Sequence, residues 1–176
     1  MKRMTGVFSF IMILILIIGL TLRFSGEAPR KRPTTDRFSL CDDGIVQDSD
    51  TGLVWAAHDN GAAVTWEEAK NYCSNYRGGG YTDWRMPTVE ELATLFDKNE
   101  KGYRPACAIY NWKIFIPDKI QLTGAAAWAS EDHGLEAECF MFDYGCRSRM
   151  FKPVSFIMRA LPVRGRPIER ITSMLP

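Results

Sequence analysis

The sequence predicts an α+β fold, and three observations carry that prediction. Thr65-Trp66-Glu67-Glu68 and Thr88-Val89-Glu90-Glu91 each set a threonine three residues before a glutamate, the capping-box pattern that starts a helix. Apolar residues then recur at helical spacing after both threonines. Short β-type segments precede the first helix and return after residue 125. Helices that run together and strands that run together, without β-α-β alternation, segregate into an α+β arrangement.

The elements follow in order. The domain begins near Phe38, after a stretch of Pro, Arg, Lys and Thr that can bury nothing. Residues 44–47 are partly β-branched, 48–52 carry turn chemistry in Asp48, Asp50 and Gly52, and Leu53-Val54-Trp55 supplies a returning apolar strand with Trp55 in the core. A first helix is expected over 66–75, with Trp66, Ala69, Cys73 and Tyr76 on one face and Gly78, Gly79 and Gly80 ending it. Pro87 bars Met86 from the helical conformation, so a second helix starts at Val89. Val89, Leu92, Leu95 and Phe96 form its apolar side, and Glu90, Glu91 and Lys98 turn outward. Residues 99–124 hold aromatics and prolines without sustained periodicity, which predicts long loops. Strands are expected at 126–129, 138–142 and 155–163, the last interrupted near its end by Pro162.

The 176 residues divide into 1–25, 26–37, 38–166 and 167–176. Met1-Lys2-Arg3, an almost uninterrupted apolar run over 7–22 and then Arg23 give the first part the pattern of an export signal. That run of about 16 residues is long for a signal peptide and short of the roughly 20 that a spanning helix needs. Pro29 follows the small pair Gly26 and Ala28 and opposes cleavage there, so the segment reads as an N-terminal apolar helix serving as a signal anchor, with a cleaved signal peptide as the alternative. Arg30, Lys31 and Arg32 beyond it resist translocation. Residues 26–37 form a polar basic linker, 38–166 are enough for one domain with a core, and 167–176 form a tail.

The five cysteines, Cys41, Cys73, Cys107, Cys139 and Cys146, make no Cys-x-x-Cys pair of the zinc or redox type, which fits an oxidising compartment. Two disulfides and one free thiol are expected, with Cys139 and Cys146 the first candidates because a short hairpin could face them. The alternative is that several are small buried hydrophobes.

Several of these pieces together resemble the Lcl C-terminal domain family, a widespread group of exported bacterial domains. They are Asp43-Gly44 with Asp48, Thr51-Gly52-Leu53-Val54-Trp55, then Trp66, Ala69, Tyr72 and Cys73, then Gly80, Asp83-Trp84-Arg85, Pro87-Thr88 and Glu91-Leu92. Trp128-Ala129-Ser130 and Arg159 with Pro162-Val163-Arg164 resemble the family's later strands. The resemblance implies a C-type-lectin-like fold related to sulfatase-modifying domains, with two helices flanking small antiparallel sheets and the termini close together. It also implies the bacterial cell envelope, with the anchor in the inner membrane and the domain in the periplasm or outside the cell, or secretion after signal cleavage. Ala160 stands where relatives frequently carry a cysteine, so the helix-to-last-strand disulfide implied for Cys73 lacks its partner.

The chemistry-bearing residues point to recognition rather than catalysis. Calcium needs six to eight oxygen ligands, and Asp42, Asp43, Asp48 and Asp50 match no calcium loop, while turn capping explains the last two. Trp84 and Arg85 could form a ligand platform, since arginine stacks on indole and forks onto anions; the competing reading puts Trp84 in the core and Arg85 on loop carbonyls or a carboxylate. His58 and His133 read as surface residues. The net charge is only +1, yet residues 33–140 hold 18 acidic and 9 basic side chains, which leaves the end of the chain strongly basic. Arg147, Arg149, Lys152, Arg159 and Arg164 are the candidate ligand-binding residues there, as a stripe able to hold a sulfated or phosphorylated polymer unless they pair with the acidic body of the domain; the family resemblance implies an anionic glycan as the ligand, with an envelope protein as the other candidate partner. No catalytic residue, cofactor, metal or nucleic-acid partner is assigned. Two alternatives stand beside this reading: a structural component of an envelope complex, and a copper-dependent cysteine oxidase, which the relation to sulfatase-modifying domains implies for a thiol pair near Cys139 and Cys146.

Overall fold

The computed structural model describes residues 36–41, 43–106 and 112–167. The apolar N-terminal segment, the linker up to residue 35, Cys107 and the tail beyond Pro167 lie outside the described residues.

Three short strands, β1 (Phe38–Leu40), β2 (Ile45–Asp48) and β3 (Val54–Ala56), precede helices α1 (Trp66–Asn75) and α2 (Val89–Thr94). A meander of β4 (Ala126–His133), β5 (Glu136–Met141) and β6 (Cys146–Phe151) follows, and β7 (Met158–Arg159) and β8 (Val163–Arg164) come last. They form two four-stranded sheets, ordered β1-β2-β3-β8 and β6-β5-β4-β7. The first and last strands of the domain therefore share a sheet. The second sheet is mixed, because β7 runs parallel to β4.

Both helices begin at their capping boxes. The Thr65 and Thr88 side chains accept from the N–H groups of Glu68 and Glu91, whose carboxylates return the bond to the threonine backbone. In the first hairpin, the buried Asp48 carboxylate accepts from the Asp50 N–H at 3.1 Å and the Thr51 hydroxyl at 2.7 Å, which holds the turn between β2 and β3.

Two expectations are corrected. The single strand expected over 155–163 is two strands in different sheets: Met158 and Arg159 pair with β4, whereas Val163 pairs with Trp55. Pro162 has no N–H to continue a ladder, and the chain crosses between sheets there. The sequence reading also lacked β6. As an edge strand largely open to solvent, Cys-Arg-Ser-Arg-Met-Phe shows no apolar alternation to announce itself. Gly145, at a φ of 70°, turns the chain into β6 against the Phe96 ring, where a Cβ would have no room.

The period of two along β4 sorts the core. Ala126 and Trp128 face a cluster with Trp66, Ala69 and Cys73 of α1, while Ala127 and Ala129 face a larger cluster with Trp55, Val89, Leu92 and Phe140. The first half of β4 is thus apolar on both faces. Its alanines leave space for the indoles, which also cross-brace the layers: Trp66 donates to the Ala129 carbonyl at 2.8 Å and Trp128 to the Val64 carbonyl at 2.9 Å.

Candidate functional site

The Asp-Trp-Arg-x-Pro-Thr run is a clamp. Arg85 exchanges backbone bonds with Val163 of β8, at 2.9 and 3.0 Å. Its guanidinium grips Glu91 through two parallel bonds of 2.8 and 2.7 Å and spends further donors on the Met86 and Gly165 carbonyls; Glu91, expected to turn outward, is fully buried because this fork and its cap on Thr88 draw it inward. Glu91 in turn caps α2, so one ion pair ties the helix start to the closing strand. Trp84 donates to the Gly78 carbonyl at 3.1 Å and meets the Tyr76 ring edge-on at 4.8 Å. A groove of about 330 Å³ runs past Trp66, Lys70, Trp84, Met86, Ser130 and Pro167. The two indoles are only 2% and 4% exposed, however, and Arg85 is fully engaged, so the platform reading gives way to the structural one.

The basic residues of the last strands do not form one stripe. Arg159 is turned inward beside the buried Asp59, 3.7 Å away, and donates to the Thr123 hydroxyl at 2.7 Å and the Met158 carbonyl at 2.9 Å. That corrects its placement on the surface: an alternating strand sends neighbouring residues to opposite sides, and the β7 position faces the interior. Arg164 forks onto Asp83 at 2.8 and 3.1 Å with its guanidinium 3.7 Å from the Tyr81 ring centroid. The hydrogen bond from Arg164 holds the Asp83 carboxyl below the usual carboxylate range. Lys152 pairs with Asp132 at 2.6 Å and lies 4.3 Å over the Trp66 ring.

Arg147 and Arg149 remain, two residues apart on β6, with side chains 47% and 57% exposed. They stand opposite Phe140 and Glu138 of β5, on the same side of the sheet. Arg147 donates to Glu90 at 2.7 Å, and Arg149 approaches Glu138 at 3.8 Å, which also meets the exposed His133 at 3.0 Å. With Glu138 and Ser148 the two arginines line a shallow depression of about 270 Å³.

The expected Cys139–Cys146 bridge is absent, and among the described residues no two cysteines are joined. The hairpin register is the reason: Cys139 stands opposite Ser148 and Cys146 opposite Met141, so the two are diagonal rather than facing. Burial pushes the Cys73 and Cys139 thiols up to about 12, and both remain protonated at neutral pH. Ala160 lies in the same apolar cluster as Cys73. Among the described residues, no three His, Cys, Asp or Glu side chains are grouped to hold a metal ion.

Two features escaped the sequence reading. Arg37 forks onto Asp48 at 2.8 and 2.7 Å and reaches the Thr94 carbonyl, joining the domain's entry, its first hairpin and the end of α2. Glu131 accepts from the Val89 N–H beside Glu90, at the start of α2. Neither shows a local motif, because the partners lie 11 and 42 residues apart.

Two short capped helices, two four-stranded sheets and an arginine clamp at the Asp-Trp-Arg run define a small mixed α+β module whose signature residues are architectural. Residues 44–164 match the model of the Lcl C-terminal domain, and the chain belongs to that family. No curated protein matches it.

Proposed function

We propose that this domain is a non-catalytic recognition module of the bacterial cell envelope that binds an anionic polymer, and that β6 is the face it presents. The carrying observation is the pair Arg147 and Arg149, two residues apart on a strand edge and about half exposed. Guanidinium groups so spaced can offer charge-assisted bonds to successive carboxylate or sulfate groups. The high thiol pKa values of Cys73 and Cys139 support a role without thiolate chemistry. In this reading the domain is C-type-lectin-like, and the apolar N-terminal segment holds it at the membrane with the domain in the periplasm or outside the cell.

The test is binding of the full chain, in mild detergent, to a heparin-like sulfated polymer across a salt series, with an uncharged polysaccharide as control. Saturable binding that weakens as salt rises and falls about tenfold in Arg147→Ala/Arg149→Ala supports the reading. No binding to the polymer at low salt overturns it and moves the weight to a structural role in an envelope assembly.

A further inference from the structure

We infer that β6 recognises its partner by strand addition: an extended acidic peptide segment of another protein pairs antiparallel with the free edge of the second sheet. The inference rests on β6 being the recognition face proposed above and names the partner that this face fits.

The sheet order ends at β6, and among the described residues no strand pairs with its outer side. Alternate residues of an antiparallel strand turn their N–H and C=O groups away from the inner neighbour, so Arg147 and Arg149 offer unfilled backbone bonds on that side, while at the end of the row the Phe151 carbonyl already accepts from the Val154 N–H. Its side chains make that row selective. Arg147, Arg149 and Phe151 share one side, at a spacing of two. Arg147 commits one terminal nitrogen to Glu90, and Arg149 meets Glu138 only at 3.8 Å, so both guanidinium groups keep donors for an incoming carboxylate. Phe151 at the far end is exposed, as is Tyr144 just before the strand.

A second copy of this chain fits the edge poorly. Two β6 strands meeting about a twofold axis keep like sides together. The registers centred on Ser148 and Arg149, which pair the most residues, set Arg147 against Arg149 of the second copy, or Arg149 against its own counterpart. Like charges directly opposite are destabilising. The same arginines that repel a copy attract carboxylates, and an antiparallel strand would place an apolar residue opposite Phe151 and acidic residues two and four positions later, opposite Arg149 and Arg147. Backbone pairing supplies affinity and the alternate side chains supply choice.

The experiment uses the full chain in mild detergent and a labelled peptide, Val-Thr-Glu-Thr-Glu-Thr, followed by fluorescence anisotropy. Two further versions carry N-methyl groups on alternate amides, one set on each edge of the extended peptide, and the heparin-like polymer is run in parallel. We expect the parent peptide to bind and one of the two N-methylated versions to lose at least tenfold in affinity while the other does not. Arg149→Glu should weaken the parent peptide about tenfold and accept a peptide with lysines in place of the glutamates. The β6 amides should gain protection from hydrogen exchange on binding. Equal binding by both N-methylated versions overturns strand addition while leaving anion recognition standing. Binding of the polymer without the peptide also overturns it. Failure of peptide and polymer alike at low salt removes the underlying reading as well.

Discussion

Arg85 holds Glu91 fork to fork, at 2.8 and 2.7 Å, with the carboxylate wholly buried and the arginine one quarter exposed. The pair joins the start of α2 to the strand that closes the first sheet, through the Arg85–Val163 backbone bonds. Removing one partner of such a pair leaves a buried charge unbalanced. Arg85→Ala should therefore destabilise the domain by about 3–5 kcal/mol. Denaturant unfolding checks this, and a stable Arg85→Ala domain with a lost ligand affinity would return Arg85 to the binding site.

Two of the core indoles, Trp55 and Trp66, differ in one respect. Trp66 donates to Ala129 at 2.8 Å, whereas the Trp55 indole N–H is buried without a partner among the described residues. Both phenylalanine substitutions remove the same ring volume, but only Trp66→Phe strips a carbonyl of its donor. Trp66→Phe should cost about 1–3 kcal/mol more than Trp55→Phe. Equal unfolding free energies for the two variants would contradict this difference in bonding.

Burial, and then the neighbouring Glu90, raise the Glu131 carboxyl above its ordinary value, despite the bonds from the Val89 N–H and its own backbone. A carboxyl that binds its proton more tightly when folded contributes stability below its unfolded pKa of about 4.3, and loses that contribution as pH rises through the folded value. Glu131→Gln should abolish this loss. The variant gains on the parent as pH rises above about 4 and gains nothing below about pH 4. Thermal unfolding on both sides of that pH reads it, and a gain confined to the acid side would reverse the assignment.

Asp48 runs the other way. Burial works against its charge, but the Arg37 fork, the Thr51 hydroxyl and the Asp50 N–H outweigh burial and hold the carboxyl below its usual range. The resulting stability is present above the unfolded pKa of about 3.9 and disappears as pH falls through the lowered folded value. Arg37→Gln should flatten stability on the acid side. An unchanged acid limb in urea titrations of the variant would show that the fork is not its source.

Thiol labelling separates the cysteines. Cys146 is exposed, whereas Cys73 and Cys139 are buried with thiols near 12. At pH 8 an alkylating reagent should modify Cys146 in the native protein and reach Cys73 and Cys139 only in denaturant. Mass mapping that finds Cys139 and Cys146 linked would overturn the register-based separation.

Much of this was legible because it is local. Thr65 with Glu68 and Thr88 with Glu91 start both helices, since a capping box lies within four residues. The turn after Asp48 was visible for the same reason. The second helix proved short, ending at Thr94, because Leu95 and Phe96 turn into the core beyond its last turn. β6 was hidden, because an edge strand needs no apolar alternation.

By itself the sequence determined the α+β class, the two helix starts, the first hairpin, the core tryptophans and membership of the Lcl C-terminal domain family. Each of these is written in contacts a few residues apart or in a period. Tertiary structure alone decided where the charges went. Arg159 to Asp59, Arg164 to Asp83 and Arg147 to Glu90 join residues 100, 81 and 57 positions apart, so composition could show a basic end but not which arginines would be left open to solvent. The strand register decided in the same way that Cys139 would face Ser148 rather than Cys146, because a shift of two residues changes every partner without changing the pattern of sides.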